Sequence, residues 1–446
     1  MKKNHGHQTL AQTLVDNLQL IRTQLVQLDA QTLARQCGFL KRKPRKISMT
    51  NFLLALVALS SEAVLSLERI AGVISLVAKV TYTKQALHKR LTGQIEQFLA
   101  QVATAIFGQL SEIERTQGLF GQFRRVLLHD STVEALPSQL ARLFPGSGNQ
   151  RHKPSASLRI QFVTDLRSAS LVQCSLSAFT HNDQAAAPDI LSVVRAGDLI
   201  LRDLGYFACA VLAALILRGA YFLSRYKHGV GVRDLSGQPL DLEWELRTCG
   251  RVDREVLLGA EQTRVRLVAL PAPEAVANER RRKARANRDG RKHPSREHLF
   301  LMGWNLFVTN VSHRVWPAKA LAPLYRLRWR IEMIFKAWKS HLNLRQFNAR
   351  SANLVRLSVM TKLLFCVLVY RFCNTIELLG DGQRHVSLLR LARIIGQCAC
   401  LLAATVLQIT PEQWLDYQLT HHMYYEQRKD RKNFFELLAQ LDVSLG

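Results

Sequence analysis

Residues 198–206 read Asp198-Leu-Ile-Leu-Arg-Asp203-Leu-Gly-Tyr206, a short apolar run bracketed by two acids and closed at a glycine. A run this short, followed at once by a turn residue, reads as a buried strand that ends at Asp203. Upstream, residues 123–129 are apolar and β-prone and stop at Asp130, while 157–164 and 170–179 alternate with a period of two. Helical spacing returns between 184 and 195. Downstream, 207–218 is an apolar helix and 220–226 another strand. The order is β-β-β-α-β-α-β, which predicts a mixed sheet with helices on its faces. Asp130 and Asp203, at the ends of two strands, can then converge on one site.

Three sequential strands followed by alternating α and β units is the order of a ribonuclease H-like core. The expected class is therefore α/β, with a β-rich insertion and helical regions at both ends. The insertion is expected over 227–314, where 240–246, 253–258 and 264–270 read as short strands between Gly and Pro turns. Residues 280–296 hold nine Lys and Arg against the single acid Asp289 and read as a solvated charged loop or, given the excess of positive charge over the whole chain, as a contact to a nucleic-acid backbone. Residues 298–310 read as a strand carrying Trp304. A helix at 318–341 lies in the second part of the core, 315–348; the first part is 119–226. Residues 349–446 form a helical region in which 354–378 and 388–407 are strongly apolar.

Residues 1–118 are expected to be a helical DNA-binding region. Leu14, Leu18, Ile21, Leu25 and Leu28 recur at helical spacing, and 51–67 is a second apolar helix. Residues 66–71 and 81–91 have the pattern of a helix-turn-helix whose second helix is capped by Thr81 or Thr83. That helix would present Lys84, Gln85, His88, Lys89 and Arg90 to phosphates and base edges; the plainer reading is a basic surface helix.

Composition narrows the partner. Lys and Arg number 61 against 34 Asp and Glu among 446 residues, a net charge of +27. Such an excess calls for a polyanion or an anionic membrane surface as partner, and nucleic acid is the better fit, since Lys and Arg neutralise phosphates. The apolar runs 207–217 and 394–409 are shorter than the roughly 20 residues of a spanning helix, so no membrane role is expected. Residues 1–20 lack the apolar segment of a secretory signal, which points to the cytoplasm. The eight scattered cysteines form no C-x-x-C pair and read as reduced core residues.

The strongest local pattern is Tyr325-x-x-Arg328-x-x-x-Glu332, followed by Lys339. At roughly 100° per residue on one helix, Arg328, Glu332 and Lys339 fall within about 60° of Tyr325. The apolar positions Leu327, Ile331, Ile334, Phe335 and Trp338 occupy another face. A solvated amphipathic helix would account for this pattern, and so would a polar row gripping DNA phosphates beside a metal.

The spacing Tyr-(2)-Arg-(3)-Glu-(6)-Lys resembles the signature of the insertion sequence four (IS-four) family of DDE transposases. Arg328-Trp-Arg-Ile-Glu332 and Lys336-Ala-Trp-Lys339 look like the corresponding helix of its hairpin-forming members. Leu128-His-Asp130-Ser-Thr132 resembles the segment with that family's first catalytic Asp, and Leu201-Arg-Asp203-Leu-Gly-Tyr206 the segment with its second. The match in motif order spans residues 120–345.

The resemblance implies that Asp130, Asp203 and Glu332 are catalytic and ligate two Mg²⁺ ions, with Mn²⁺ able to substitute. Hard cations prefer such oxygen donors, and an ion pair about 4 Å apart suits phosphodiester chemistry. It implies that Arg328 holds phosphate, that Tyr325 and Lys339 grip the element's end, and that Trp304 stacks on a flipped base. Trp304 would otherwise be a core strand residue. Trp329 could also probe the DNA end; Trp316 has a weaker claim. Arg280, Arg281, Arg282 and Lys283 are assigned to the DNA backbone. Asp198 rivals Asp203 but opens its strand. His181-Asn-Asp183 reads as a turn and helix cap outside the site, and His129 as structural. The implied activity is cut-and-paste transposition by a homodimer that pairs terminal inverted repeats in a synaptic complex and joins them to target DNA. The alternatives are a catalytically silent DNA-binding regulator derived from a transposase, and a stand-alone nuclease.

Overall fold

The computed structural model describes residues 10–41, 47–62, 64–108, 120–148, 154–286, 293–344, 351–379 and 385–422. The chain forms two compact units, one of residues 1–91 with 394–446 and one of residues 92–393.

The first unit opens with α1 (Leu10–Gln27), whose Leu14, Leu18, Ile21 and Leu25 are buried at the predicted spacing. After α2 (Ala30–Gln36), α3 (Met49–Ala58) is buried almost all round. It stops at residue 58, short of the expected 67, where the Ser60 hydroxyl is donated to the Val57 carbonyl and competes with the helix backbone. The helix-turn-helix segment gives α4 (Leu67–Ala78), capped by Ser66, and α5 (Lys84–His88), capped by Thr83. Lys79 turns the chain between them with φ of +52°. The second helix is shorter than predicted because the Tyr82 amide is donated to the Ser75 hydroxyl, which keeps residues 81–82 extended.

The second unit is built on one nine-stranded sheet. α6 (Ile95–Phe107) precedes β1 (Val126–Leu136), β2 (Ala156–Asp165), β3 (Leu171–Ala178) and β4 (Leu199–Arg202). Then come α7 (Cys209–Leu217), β5 (Tyr221–Arg225) and β6 (Val232–Arg233), followed by α8 (Leu242–Cys249), β7 (Val252–Leu258) and β8 (Thr263–Pro271). The segment continues through α9 (Glu274–Arg285), α10 (Arg296–Leu301) and β9 (Trp304–Thr309), then α11 (Leu321–Arg326), α12 (Trp329–His341), α13 (Ala352–Leu379) and α14 (Leu388–Gly396). The strand order is β3-β2-β1-β4-β5-β9-β8-β7-β6. β4 is parallel to β1 and β5; every other pairing is antiparallel. The strands of the 227–314 segment thus extend the same sheet beyond β5.

Several elements differ from the sequence reading. β1 runs on through Asp130 to Leu136, paired with β2 throughout. The 184–195 stretch holds only a 3-10 turn (Ala187–Ser192), in keeping with Pro188, which fits only a first turn. Residues 242–249 are helical, not a strand: Asp241 accepts from the Trp244 amide, and Gly250 closes the helix with φ of +68°. The start of the expected 298–310 strand is instead α10, capped by Ser295. The basic run begins as the helix α9 rather than a loop; its residues 287–292 lie outside the described part.

α6 packs on β3 and on α13. α13 is long and apolar enough to cross a membrane by length and composition, but 78% of its most apolar window is buried in the protein. Back in the first unit, α15 (Ala399–Leu407) packs on α3 and α1, and α16 (Pro411–His422) on α15. Against the expectation of core cysteines, Cys249 and Cys400 are exposed.

Candidate active site

Register brings the first two acids together. β1 and β4 run parallel with His129 paired to Arg202, so the next residue on each chain is Asp130 and Asp203. Asp203 follows the last strand residue, where the chain turns into a short 3-10 turn (Leu204–Tyr206). Asp130 lies opposite Phe162, on the face of the sheet covered by α12, where Phe162 meets Trp338 edge-on at 4.8 Å. That contact fixes α12 over β1 and carries Glu332, in its first turn, toward the two aspartates.

The predicted single helix over 318–341 is in fact a 3-10 turn (Ala318–Ala320), then α11, then α12, with Leu327 and Arg328 between the two helices. There the hydrogen bonds tighten to three-residue spacing, with Arg328 N to Tyr325 O at 3.2 Å and Ile331 N to Arg328 O at 3.1 Å. The regular 100° step therefore does not run through Arg328. Its guanidinium sits among all three acids: 2.7 Å from Glu332, 3.6 Å from Asp130 and 3.6 Å from Asp203. Burial opposes the charge on Arg328, but Asp203, Tyr325 and Glu332 outweigh it and raise its pKa.

Asp130 is the most enclosed of the three. Burial pushes its carboxyl up to about 7, against the Ser131 amide and Arg328, which favour the ionised form. The Ser131 amide is donated to its Oδ1 at 2.8 Å. Asp203 and Glu332 remain 48% and 42% exposed, open to a substrate. Three carboxylates already gathered round a cation, with only oxygen donors, fit a hard divalent metal. Among the described residues no three acid, His or Cys side chains stand close enough to hold one ion as they are now arranged. A metal held by all three acids would require Arg328, which now sits among them, to move aside.

The other signature residues are tied to the protein. Tyr325 is 9% exposed, donates its hydroxyl to the Arg202 carbonyl at 3.1 Å, and burial pushes its pKa up to about 12. Lys339 pairs with the buried Glu134 at 2.7 Å and donates to the Val133 carbonyl. The rival Asp198 is fully buried and bonded to Arg125 and to the Arg195 amide. Trp304 is half-buried beside a cleft of about 540 Å³ that also has Leu204, Arg225, Lys227, His228 and Lys283 in its wall. Trp316 is fully buried against Phe123, whereas Trp329 is 62% exposed.

Of the basic run, Arg280 donates to the carbonyls of Met302 and Trp304, and Arg281 to that of Leu299, so both clamp α9 onto α10 and β9. Arg282 and Lys283 stay exposed and pair with Glu279 on their own helix. In the first unit Lys84 and Lys89 are exposed, Lys84 beside Glu68, and Arg90 lies over the Tyr82 ring at 5.8 Å.

Asp183 was not assigned to the site by sequence, yet its charge acts on Asp130. It accepts from Ser131 Oγ at 2.6 Å and from Arg159 at 2.8 Å. Turn formation falls to its neighbour Asn182, whose side chain accepts from the Ala185 amide. The available signal was Arg159, a charged residue between the apolar Leu158 and Ile160 of β2.

Carboxylates converging on the sheet of a strongly basic chain define a class: enzymes that process nucleic acid with divalent metal. Within that class, residues 121–368 match the transposase DDE domain family, and the chain belongs to the DDE transposases. Members of this family depend on divalent metal and act on DNA. The chain is 30% identical over 341 residues to the transposase for insertion sequence element IS231D of Bacillus thuringiensis subsp. finitimus, covering 71% of this chain and 70% of that protein. It is 25% identical to the transposase for IS1151 of Clostridium perfringens, covering 70% and 71%. It is 26% identical to the putative transposase InsL for IS186A of Escherichia coli K12, covering 76% and 88%.

Proposed function

We propose that this transposase cuts and rejoins the ends of its own insertion sequence, with Asp130, Asp203 and Glu332 as ligands of two Mg²⁺ ions. The observation that carries this reading is the convergence of three acids, from β1, from the end of β4 and from α12, on one guanidinium. A bound divalent metal would activate the attacking oxygen and stabilise the leaving oxygen of a phosphodiester. The strand order β3-β2-β1-β4-β5 with parallel β1, β4 and β5 supports a ribonuclease H-like core.

The signature helix supports placement in the IS-four family. Once drawn from the acids, Arg328 is free to hold a scissile phosphate through its two-pronged guanidinium. Tyr325 and Lys339, bonded here to the Arg202 carbonyl and to Glu134, are assigned to gripping the element's end near its 5′ phosphate. The cleft holding Trp304 begins at Leu204, next to Asp203, and combines an aromatic wall with cations, the surface a base flipped from a hairpin end requires. Exposed Lys84 and Lys89, with Arg90, are assigned to end recognition, and Arg282 and Lys283 to the DNA backbone. A homodimer would pair the two terminal repeats and join them to target DNA.

The test is cleavage of the element's terminal repeats by Asp130→Ala, Asp203→Ala and Glu332→Ala. Each should abolish cutting in Mg²⁺ and leave end binding largely intact, because phosphate contacts position the DNA while the acids hold metal. A variant that cuts at near wild-type rate removes its residue from the ligand set. End binding by the wild-type protein without any cutting would make it a regulator.

A further inference from the structure

We propose that Asp183 is a positioning residue for the metal-binding acids, holding the Asp130 and Asp203 segments at a fixed separation. The inference rests on the reading of Asp130 and Asp203 as ligands.

Main-chain pairing between β1 and β4 ends at His129 and Arg202. Beyond that register no parallel-ladder bond ties the backbone at Asp130 to the chain at Asp203, just where two carboxylates must share ions with a tolerance of a few tenths of an ångström. Asp183, 53 residues after Asp130 in the sequence, bridges the gap. Its Oδ1 accepts from the hydroxyl of Ser131, the residue whose amide is donated to Asp130. The same oxygen accepts from Arg159 Nη1, which also donates to Ser131 Oγ at 2.8 Å, closing a three-membered network.

The other side of Asp183 faces the Asp203 segment. A Cβ added at Gly205 would lie 3.1 Å from Asp183 Oδ2 and 3.2 Å from its Cβ, so the two segments are in close approach and a side chain at 205 would push Asp183 by a few tenths of an ångström. Asp183 thus braces Ser131 on one strand and Gly205 beyond the other. A neutral bracing residue would fill that space without adding negative charge beside Asp130. The carboxylate is tolerated because Arg159, whose side chain is 9% exposed, offsets it. Partners that orient metal-ligating carboxylates typically change metal affinity about 10- to 100-fold when removed.

The test is direct Mn²⁺ binding to the full-length protein, read from the electron paramagnetic resonance signal of unbound Mn²⁺, with thermal melting alongside. Asp183→Ala should weaken binding by about 10-fold or more. Asp183→Asn, which keeps an acceptor for Ser131 and Arg159, should recover most of the loss. Ser131→Ala should weaken binding in the same sense, and combining it with Asp183→Ala should add little. Asp130→Ala serves as control. If Asp130→Ala loses the ion while Asp183→Ala binds it as tightly as wild type, the positioning role is wrong and the ligand assignment stands. If Asp130→Ala keeps wild-type binding, the ligand assignment fails and this role with it. Should Asp183→Ala not fold, wild-type Mn²⁺ affinity in Ser131→Ala overturns the proposal.

Discussion

Arg328 stands one helical turn before Glu332 and holds its carboxylate at 2.7 Å, with Asp130 and Asp203 each 3.6 Å from the same guanidinium. One residue thereby offsets part of the acids' charge when no divalent ion is bound. On the proposed function, the same guanidinium would leave them when metal enters and would then hold a DNA phosphate.

Removing that guanidinium should expose the repulsion among the acids. Arg328→Ala is expected to lower the stability of the metal-free protein by about 1–3 kcal/mol, most of it from the enclosed Asp130. The stabilisation gained on adding Mn²⁺ should be larger than in wild type, because the ion then has no guanidinium to displace. Melting curves with and without Mn²⁺ read both quantities. A metal-free Tm equal to that of wild type would mean that the acids need no internal cation.

Asp130 and His129 are adjacent on β1, yet burial shifts them in opposite senses, Asp130 up to about 7 and His129 down to about 3. Their ordinary values are 3.8 and 6.5. From about pH 4 to 6.5 the folded protein keeps a proton on Asp130 that the unfolded chain releases, so stability falls as pH rises. Over the same window the unfolded chain holds a proton on His129 that the folded protein lacks, so stability rises with pH. Each slope is at most about 1.4 kcal/mol per pH unit, and they oppose each other. Asp130→Asn should leave the His129 slope exposed, giving stability that climbs from pH 4 to 6.5 more steeply than wild type. His129→Asn should tilt it the other way. Denaturant unfolding of metal-free protein across that range measures the slopes; two variants parallel to wild type would refute the shifts.

The basic helix divides by direction. Arg282 and Lys283 are exposed, whereas Arg280 and Arg281 are engaged by main-chain carbonyls. Arg282→Ala with Lys283→Ala should flatten the dependence of log K on log salt by up to about 2, near 0.9 for each phosphate no longer neutralised. Arg280→Ala should instead lower Tm by loosening α9 from β9. Anisotropy titrations with duplex DNA over a salt series decide it: an unchanged slope places this face of α9 away from DNA.

What the sequence made legible follows from the range of each signal. The strands from β1 to β5 show in a period of two and in short apolar runs, because burial acts on every residue of a strand. Asp203 is legible because a glycine turn marks the strand end. α8 reads as a strand because Leu240, Leu242 and Leu246 also fit alternation, and its caps, Asp241 and Gly250, outweigh that weak pattern. Positions that depend on distant partners were not legible. That Arg280 turns inward depends on free carbonyls at Met302 and Trp304, and that Asp183 joins the site depends on Ser131 and Arg159. A helical projection places Arg328 in line with Glu332 but does not show the tightened turn that aims it at three acids.

On the proposed hairpin route, Trp304 is expected to separate the first cut from the step after it. It opens β9 beside the basic cleft, its ring 6.1 Å from that of Phe300, and is only half-buried. Water can attack the first strand with the duplex nearly undistorted. Hairpin closure needs the freed 3′-OH to reach the opposite strand, so a base must leave the stack at a cost of a few kcal/mol. An aromatic platform returns about 1–3 kcal/mol per base. Trp304→Ala should therefore leave nicking near wild type and slow hairpin formation by roughly tenfold or more, at about 1.4 kcal/mol per decade. On a denaturing gel the nicked intermediate should accumulate. Trp304→Phe, which keeps a stacking face, should restore much of the rate. If nicking and hairpin formation fall together while the variant melts early, the indole serves the packing of β9 against α10. If wild type itself forms no hairpin on its own terminal repeats, flanking DNA is released by another route and the cleft has a different occupant.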